Sequence, residues 1–512
     1  MSTEQQTARD YERRWWTLGV LCLSLVMIVV ANASLNVALP SLVKDLHANA
    51  SSLQWIVDAY SLVFAGLLLT AGSLGDRFGR RLALNGGLLI FGTASGLAAL
   101  ATSSGQLIAA RAAMGIGAAL VMPATLSVLA HVFPPDERKR AIAIWAGFAG
   151  VGAALGGVIS GWLLEHFWWG SIFLTNVAVV AIALVAGAIL VPSVKDDSEP
   201  ALDFLGALLS IAGLGALIYA IIEAPTRGWL SGGTVLSFAA AAAILFAFGA
   251  WELHTPEPML DLRFFRNPQF AAATSTITLI FFVMFGMIFT LTQYLQLVLG
   301  YSPLEAGVRM LPWAVVYMIS APRSSRLVER FGQRVVVSSG LSVVAFGLGL
   351  MALSGLHANY PLLALALIVT AGGMGMVTAP STGAIIVSLP LNKAGVGSAV
   401  NDTTRELGGA LGVAVIGSVV ASLYRGGLPA SAHAATGSLG AGLQAAAALP
   451  GQAGANLAHA ARSAYVHAFD VTLLVSVGVA LLASVLVSIV LRTPSTEEAD
   501  ESVPLEARVE AA

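Results

Sequence analysis

The feature that most constrains this sequence is a series of long apolar runs separated by short polar breaks. The first run, from Thr17 to Leu39, contains no charged residue. A transmembrane helix needs about 20 predominantly apolar residues, so fourteen of them would use roughly 280 positions. Hydrophobic residues make up 57% of the 512 positions and charged residues only 11%, against roughly 25% charged in soluble domains. The sequence therefore predicts an all-α polytopic membrane protein and excludes an ordinary soluble enzyme.

Fourteen runs are long enough to span a bilayer. Six precede a charged break at 195–203, two follow that break, and six more follow a polar linker. The spans are expected at 17–39, 56–74, 82–101, 107–130, 141–164, 172–191, 204–222, 234–251, 270–299, 306–322, 335–356, 362–386, 396–424 and 466–491. The resulting division is a tail (1–14), a six-helix bundle (15–192), two inserted helices (203–253), a second six-helix bundle (269–492) and a second tail (493–512).

The basic residues predict the orientation. Most of the 26 Lys and Arg residues fall on one side if the amino terminus is cytoplasmic, and positively charged loops resist translocation. We therefore expect a plasma-membrane protein with both termini in the cytoplasm. The Ala/Gly-rich stretch 426–464 is then external, as a mobile loop or a loose amphipathic helix. It offers a contact surface for a periplasmic adaptor, for which nothing else in the sequence argues.

Several classes of function are excluded by what the sequence lacks. A net charge of −2 gives no basic surface for nucleic acid. Cys22 is the only cysteine, so an internal disulfide and a Cys-ligated metal or cluster are ruled out. There is no phosphate-binding GxxxxGK[ST] motif and no nucleophile elbow. We expect no enzyme activity, metal or cofactor, and an ion gradient rather than nucleotide as the energy source.

An internal repeat indicates how the helices are organised. The segment GSLGDRFGRR at 72–81 aligns without gaps on SRLVERFGQR at 325–334. Each copy is expected between the second and third helices of a six-helix bundle. Parallel repeats of this kind place a substrate site near the bilayer midplane, between two halves that rock against each other.

Few ionisable residues lie inside predicted spans, where charge is costly and a functional role is the default hypothesis; two of them lie in the first six-helix bundle. They are Asp58 in the second span and Arg111 in the fourth. Burial favours a neutral acid and a nearby cation favours the ionised one. If the two faced each other, proton loading would depend on which side was open. The alternative is that Asp58 is hydrated at the interface and Arg111 bonds to backbone carbonyls.

A second polar group lies at the start of the thirteenth span. Asp402 and Glu406 are four residues apart and share a helical face, and Arg405 lies between them. The sequence leaves open whether this cluster is a structural salt bridge or a proton site.

Aromatic side chains crowd the ninth and tenth spans. Such side chains adapt to varied apolar molecules and hold cations against their ring faces. The predicted substrate path consists of Phe281, Phe285, Tyr294, Trp313 and Tyr317, with Asn36 as a polar contact.

Taken together, these motifs resemble the major facilitator superfamily, in particular its fourteen-span drug:proton antiporter branch. The resemblance is carried by the repeated turn, by RAAMGIGAA around Arg111, by NVALP at 36–40, by WIVDAY at 55–60 and by 395–412. It implies the major facilitator fold, with two six-helix bundles and two inserted helices. It also implies a latch between the halves, alternatively a purely topological role, for Asp76, Arg77, Gly79, Arg80, Glu329, Arg330 and Gly332.

The expected function is export of amphipathic or cationic drugs and toxic compounds by proton antiport, with small amphipathic substrates, protons and the lipid bilayer as partners. Two departures from the family pattern matter. Ala31 stands where relatives commonly carry an Asp, and the fifth span lacks the usual Gly-Pro at 156–161. The missing acid favours the alternatives, an exporter of one metabolite or an uncoupled facilitator. A receptor or lipid-interaction protein on a transporter scaffold is a further alternative, because fold alone does not fix function.

Overall fold

A computed structural model describes residues 3–192, 202–356, 359–389, 394–429, 432 and 437–490. The predicted second tail, 493–512, and most of the charged break lie outside these residues. The described helices are α1 (Thr3–Leu46), α2 (Ala50–Phe78), α3 (Arg80–Ala99), α4 (Ser104–Val132), α5 (Pro135–His166), α6 (Ser171–Leu190), α7 (Phe204–Arg227), α8 (Gly232–His254), α9 (Pro268–Gln293), α10 (Pro303–Arg309), α11 (Leu311–Phe331), α12 (Gln333–Met351), α13 (Tyr360–Val387), α14 (Ala394–Gly426), α15 (Leu439–Ala448) and α16 (Gly451–Val490).

The predicted fold class is confirmed. Thirteen of the helices in the described ranges are long and apolar enough to cross a membrane. The fourteenth predicted span, at 306–322, is instead divided between α10 and α11. Ser302 caps α10 in a capping box with Glu305, and Pro312 starts the next helix, because proline fits the first turn of a helix but not its interior.

Two other regions refine the boundaries that the sequence predicts. Helix α1 already begins at Thr3 and so includes most of the segment assigned as a tail. The predicted external stretch contains α15 and the first turns of α16. The α15 helix packs against the end of α1, because Gly440 lets its backbone approach the side chain of Val43.

The two copies of the repeated turn have the same backbone. Gly79 separates α2 from α3 and Gly332 separates α11 from α12, with φ of 109° and 77°. Only glycine adopts such angles without strain. We call the end of the bundle that carries these turns the turn face and the other end the opposite face.

The repeat extends into the packing of the helices that follow. Gly87 on α3 and Gly117 on α4 let two backbones touch, and a Cβ on either would lie 2.7 Å from the other's carbonyl oxygen. Gly340 on α12 and Gly373 on α13 form the same contact in the second half. Close approach through small residues is the usual way in which membrane helices associate.

The apolar cores follow the same division. One core joins α1 to α6 and includes Leu35, Tyr60 and Phe91, and a second joins α9 to α16 and includes Phe270 and Leu341. Helix α7 packs against α8, α2 and α14. The inserted pair therefore lies against the bundle at the junction of the two halves.

The halves contact each other toward the opposite face. The Nε2 of Gln296 donates to the carbonyl of Val37 (2.9 Å), and the amide of Leu304 donates to Oε1 of Glu165 (3.3 Å). Gly161 of α5 lies against the backbone of α10. The small residues of the fifth span thus pack closely without the proline, as the sequence predicts.

Candidate functional site

The fully buried Arg111 on α4 is the centre of the candidate site. Its Nε donates to the carbonyl of Ile56 (3.1 Å). The guanidinium lies over the ring of Tyr60, 4.3 Å from the ring centroid. Both terminal nitrogens lack a hydrogen-bond partner among the described residues. A buried guanidinium with free donors is costly, so the surrounding charges determine what it can do.

Asp58 on α2 forms no hydrogen bond or ion pair with Arg111 in the described part of the chain, and its coupling to Arg111 stays a prediction. Tyr60 occupies the place over the guanidinium, and residues two apart on a helix point about 200° apart. Asp58 is 0% exposed, and both carboxylate oxygens lack a hydrogen-bond donor in the described part of the chain.

The stripe of α2 that contains Asp58 faces α14 and α7. One turn before it, Oε1 of Gln54 lies 3.4 Å from the hydroxyl oxygen of Ser418 on α14. One turn after it, Leu62 packs with Ile218 of α7 and Ala410 of α14. The acid is therefore enclosed where both halves and the inserted pair meet.

Glu406 on α14 is an acid whose charge acts on Arg111 from the other half, without a direct ion pair or hydrogen bond between the two in the described part of the chain. Its charge also acts on Tyr60, and the hydroxyl of Ser61 lies beside its carboxylate. Because α14 belongs to the second half and α4 to the first, this interaction crosses the junction. Glu406 is partly exposed, and its Oε2 is buried without a hydrogen-bond donor.

The remaining members of the thirteenth-span cluster bond to one another and to their neighbours. Arg405 lies 3.9 Å from Oδ1 of Asp402 and donates to the hydroxyl of Thr382 (3.3 Å). Its guanidinium also lies over the ring of Phe281, 5.2 Å from the centroid. Arg405 thus contacts both its ion-pair partner Asp402 and the aromatic ring of Phe281.

The predicted path residues divide into three groups. Phe281 and Phe285 form a pair, and Phe285 packs against the cores of both halves. Trp313 stacks on Tyr317 at 5.5 Å, with the indole N–H buried and unpartnered. Tyr294 is instead enclosed in the second core, where its ring stacks on another aromatic ring and its hydroxyl donates to a backbone carbonyl.

Asn36 lies in the first half and is mostly buried. Its side-chain amide donates to the carbonyl of Asn32, one turn earlier in α1 (3.2 Å). The structure does not bring it into hydrogen-bond contact with the aromatic residues of the second half. Its place on the substrate path stays a prediction.

The first copy of the repeated turn is bonded within its own half. Arg80 pairs with Asp76 (3.0 Å) and donates to the carbonyl of Ser127 on α4. In the second copy, Arg330 lies over the ring of the adjacent Phe331, and Glu329 is exposed. The predicted latch across the halves also stays a prediction.

The arrangement of two six-helix halves around buried charges agrees with a comparison against families of known proteins. The model of the Major Facilitator Superfamily matches residues 21–413. The chain belongs to the Major Facilitator Superfamily. Members of this superfamily are transporters, so the absence of an enzyme motif from the sequence has a direct explanation.

Similar superfamily members are named as efflux proteins. The multidrug efflux pump LfrA of Mycolicibacterium smegmatis is 35% identical over 95% of this chain and 98% of its own length. The tetracenomycin C resistance and export protein of Streptomyces glaucescens is 31% identical over 97% and 95%. The methyl viologen resistance protein SmvA of Salmonella typhimurium is 35% identical over 90% and 95%.

A solved superfamily structure has the same fold. It is that of a bacterial homologue of the human lysosomal transporter Spinster, in an inward-facing and unoccupied conformation. The TM-score is 0.66 at 18% identity, over 94% of this chain and 99% of that one. At this identity the likeness concerns the fold alone.

Sequence reasoning missed two residues of this superfamily member's site. Tyr60 was part of a quoted motif without a role, and Ser61 was not considered, yet they flank Arg111 and Glu406. The sequence contained a signal, because a buried cation needs a partner. In the structure, Tyr60 lies one helical turn after Ile56, whose carbonyl accepts a hydrogen bond from Arg111. Glu406 was named, but its position opposite Arg111 depends on how the two halves meet.

Proposed function

We propose that the protein is a secondary active exporter that expels amphipathic or cationic drugs and toxic compounds in exchange for protons. The observation that carries the proposal is the set of ionisable side chains at or beside the junction of the two halves, which consists of the buried Asp58 and Arg111 and the partly exposed Glu406. Its relatives are named for multidrug efflux, for tetracenomycin C export and for methyl viologen resistance, which supports a drug as cargo.

The orientation that fits this function places the turn face in the cytoplasm. Arg77, Arg80 and Arg330 cluster there, as positive charges do on the cytoplasmic side of membrane proteins. The protein then lies in the plasma membrane with both termini inside. The six-helix halves correspond to 15–192 and 269–492, and the inserted helices correspond to 203–253. Because the halves are joined at the opposite face, we assign the access path of this conformation to the turn face, and so to the cytoplasm.

Two acids have the environment that proton exchange needs. No donor among the described residues stabilises the ionised form of Asp58, so this acid holds a proton while it is enclosed. The charge of Glu406 acts on Arg111 from the other half of the protein, and the two side chains move apart when the halves separate. A change of access thereby changes the environment of both carboxyl groups, and this change can exchange a proton for a substrate.

The energy of one proton is sufficient for useful export. One charge that moves through about 100 mV releases about 2.3 kcal/mol. At about 1.4 kcal/mol for each tenfold change, this sustains roughly a fortyfold substrate gradient. A single exchangeable acid would therefore serve, even with Ala31 in place of the first-helix Asp.

The aromatic pairs are the proposed walls of the substrate path. Phe281 and Phe285 form a ring pair beside Arg405, and Trp313 and Tyr317 form a stacked pair on α11. Tyr294 is assigned to packing in this conformation because it is fully enclosed. Trp313→Ala should change the relative efflux rates of different drugs, whereas an equal effect on all of them would argue against a place on the path.

The proposal is tested by uptake of a fluorescent cation into inverted vesicles, with and without an imposed pH difference. Asp58→Asn and Glu406→Gln should each reduce pH-driven uptake at least tenfold at normal membrane levels. Glu305→Gln is the matched control, since Glu305 is an exposed acid that pairs with Arg309 in the same helix. Unchanged transport in both variants would refute the coupling role.

The same vesicles separate the alternative functions. Uptake of many unrelated cations supports a multidrug exporter, and uptake of one compound supports a dedicated one. Transport that a protonophore does not affect indicates an uncoupled facilitator. Tight binding of a compound that is never moved would favour a receptor.

A further inference from the structure

Helix α7 contains a proline that leaves one backbone carbonyl without its helical donor. Pro225 has no N–H, so the carbonyl of Ile221, four residues earlier, cannot form the usual helical hydrogen bond. In the structure, the hydroxyl of Ser418 on α14 donates to this carbonyl at 2.9 Å. Within a membrane a carbonyl freed by proline must find another donor, and here the donor comes from the second half.

Two further hydrogen bonds join the same end of α7 to both halves. Ser51 on α2, in the first half, donates to the carbonyl of Ile222 (3.4 Å). Arg425 on α14, in the second half, donates to the carbonyl of Pro225 itself (2.8 Å). Three side chains from two halves thus bind three carbonyls in the last two turns of α7, near the opposite face.

An apolar contact continues the same attachment toward the turn face. Leu62 of α2, Ile218 of α7 and Ala414 of α14 form a small buried cluster of their own. Further along α7, Gly66 of α2 leaves room for the side chain of Ile211. The inserted helix is therefore attached to both halves by hydrogen bonds at one end and by apolar packing along its length.

We propose that α7 is a clasp that holds the two halves together at the opposite face and so stabilises the state open to the turn face. The proposal rests on the alternating access proposed above. When the halves part at the opposite face, α7 cannot follow both α2 and α14, so one set of these hydrogen bonds must break. The inserted pair thereby sets the balance between the two states.

The proline allows the hydrogen bonds of the clasp to be tested separately from the apolar packing of α7. Ser418→Ala removes the external donor to Ile221 and should raise the population open at the opposite face about threefold to tenfold, the effect of losing one hydrogen bond. Pro225→Ala restores an N–H that can bond to this carbonyl within the helix. In that background, Ser418→Ala should change the population less than twofold. Ser476→Ala is the control, because its buried hydroxyl bonds only within α16.

The populations are measured by spin-label distances in the full-length protein in lipid nanodiscs, with Cys22→Ala as background. Labels at Thr102 and Leu353 report separation at the opposite face, and both positions are exposed. Labels at Leu82 and Val335 report the turn face, at equivalent exposed positions of the two repeats. Distances are recorded in acidic and alkaline buffer and with a transported cation.

The outcomes distinguish the clasp from the proposed function. If wild-type distances at the two faces change reciprocally and Ser418→Ala shifts them, the clasp is supported. Reciprocal changes in the wild type that neither Ser418→Ala nor Pro225→Ala alters would overturn the clasp and leave alternating access standing. Fixed distances at both faces in every buffer and variant would overturn both proposals.

Discussion

The contact between Arg111 and Tyr60 leads to a quantitative prediction, because the ring and the hydroxyl of the tyrosine have different surroundings. The guanidinium lies 4.3 Å from the ring centroid, and both side chains are fully buried. The Tyr60 hydroxyl has no hydrogen-bond partner in the described part of the chain. The ring should therefore carry the stabilisation and the hydroxyl should contribute nothing.

Two substitutions test the contributions of the hydroxyl and of the ring. Tyr60→Phe keeps the ring and should leave the free energy of unfolding within about 0.5 kcal/mol of wild type. Tyr60→Leu removes a desolvated cation–π contact worth about 2 kcal/mol and leaves a partly filled cavity that costs about 1 kcal/mol more. We expect a total loss of about 3 kcal/mol.

Reversible unfolding in mixed micelles measures these differences. A double-mutant cycle with Arg111→Met isolates the contact, since Tyr60→Leu should then cost only its packing share of about 1 kcal/mol. If Tyr60→Phe destabilised the protein as much as Tyr60→Leu, the hydroxyl would be the important group. The assignment of the ring as the partner of Arg111 would then be refuted.

Three further predictions concern the packing and the ends of helices. Gly117→Ala brings a Cβ to 2.7 Å from neighbouring backbone atoms and should lower the free energy of unfolding by about 1–3 kcal/mol. Gly86→Ala has open space around it and should be neutral or stabilising in the same unfolding assay. Gly332→Ala should cost about 1–2 kcal/mol because φ there is 77°, and an unchanged melting temperature would contradict this. Glu252→Gln keeps an acceptor for the amide of Leu260 (2.7 Å) and should be tolerated. Glu252→Ala removes the acceptor and should lower the free energy of unfolding by about 1–3 kcal/mol. Equal stability of the two variants would show that this hydrogen bond is unimportant.

Most of the helices were predictable because their signal is local. A bilayer demands about 20 apolar residues for each span, and this demand is visible in the sequence of each segment. The exception was the segment at 306–322, where Pro312 and the Ser302 cap divide the chain into α10 and α11. Both signals are present in the sequence, but the segment is long and hydrophobic enough to be interpreted as a single span.

The ionisable residues of the site could be predicted from the sequence, but the contacts between them could not. Asp58, Arg111 and Glu406 stand out because charge inside a membrane is costly, and that cost is a property of each residue. Their partners depend on the rotation of α2 about its axis, which turns Tyr60 rather than Asp58 toward Arg111, and on contact between helices about 300 residues apart in the chain.

The sequence by itself determined that this chain is a helical membrane protein with two related halves, since apolar length and a repeated glycine turn act within short segments. Only the tertiary structure decided that the charge of Glu406 acts on Arg111, that Asp58 is enclosed beside α7, and that Ser418 donates to the carbonyl of Ile221, which Pro225 leaves without a helical donor. The physical reason is that a hydrogen bond or an ion pair depends on distances of a few ångströms between helices. The packing of the two halves sets those distances, and no single segment contains them.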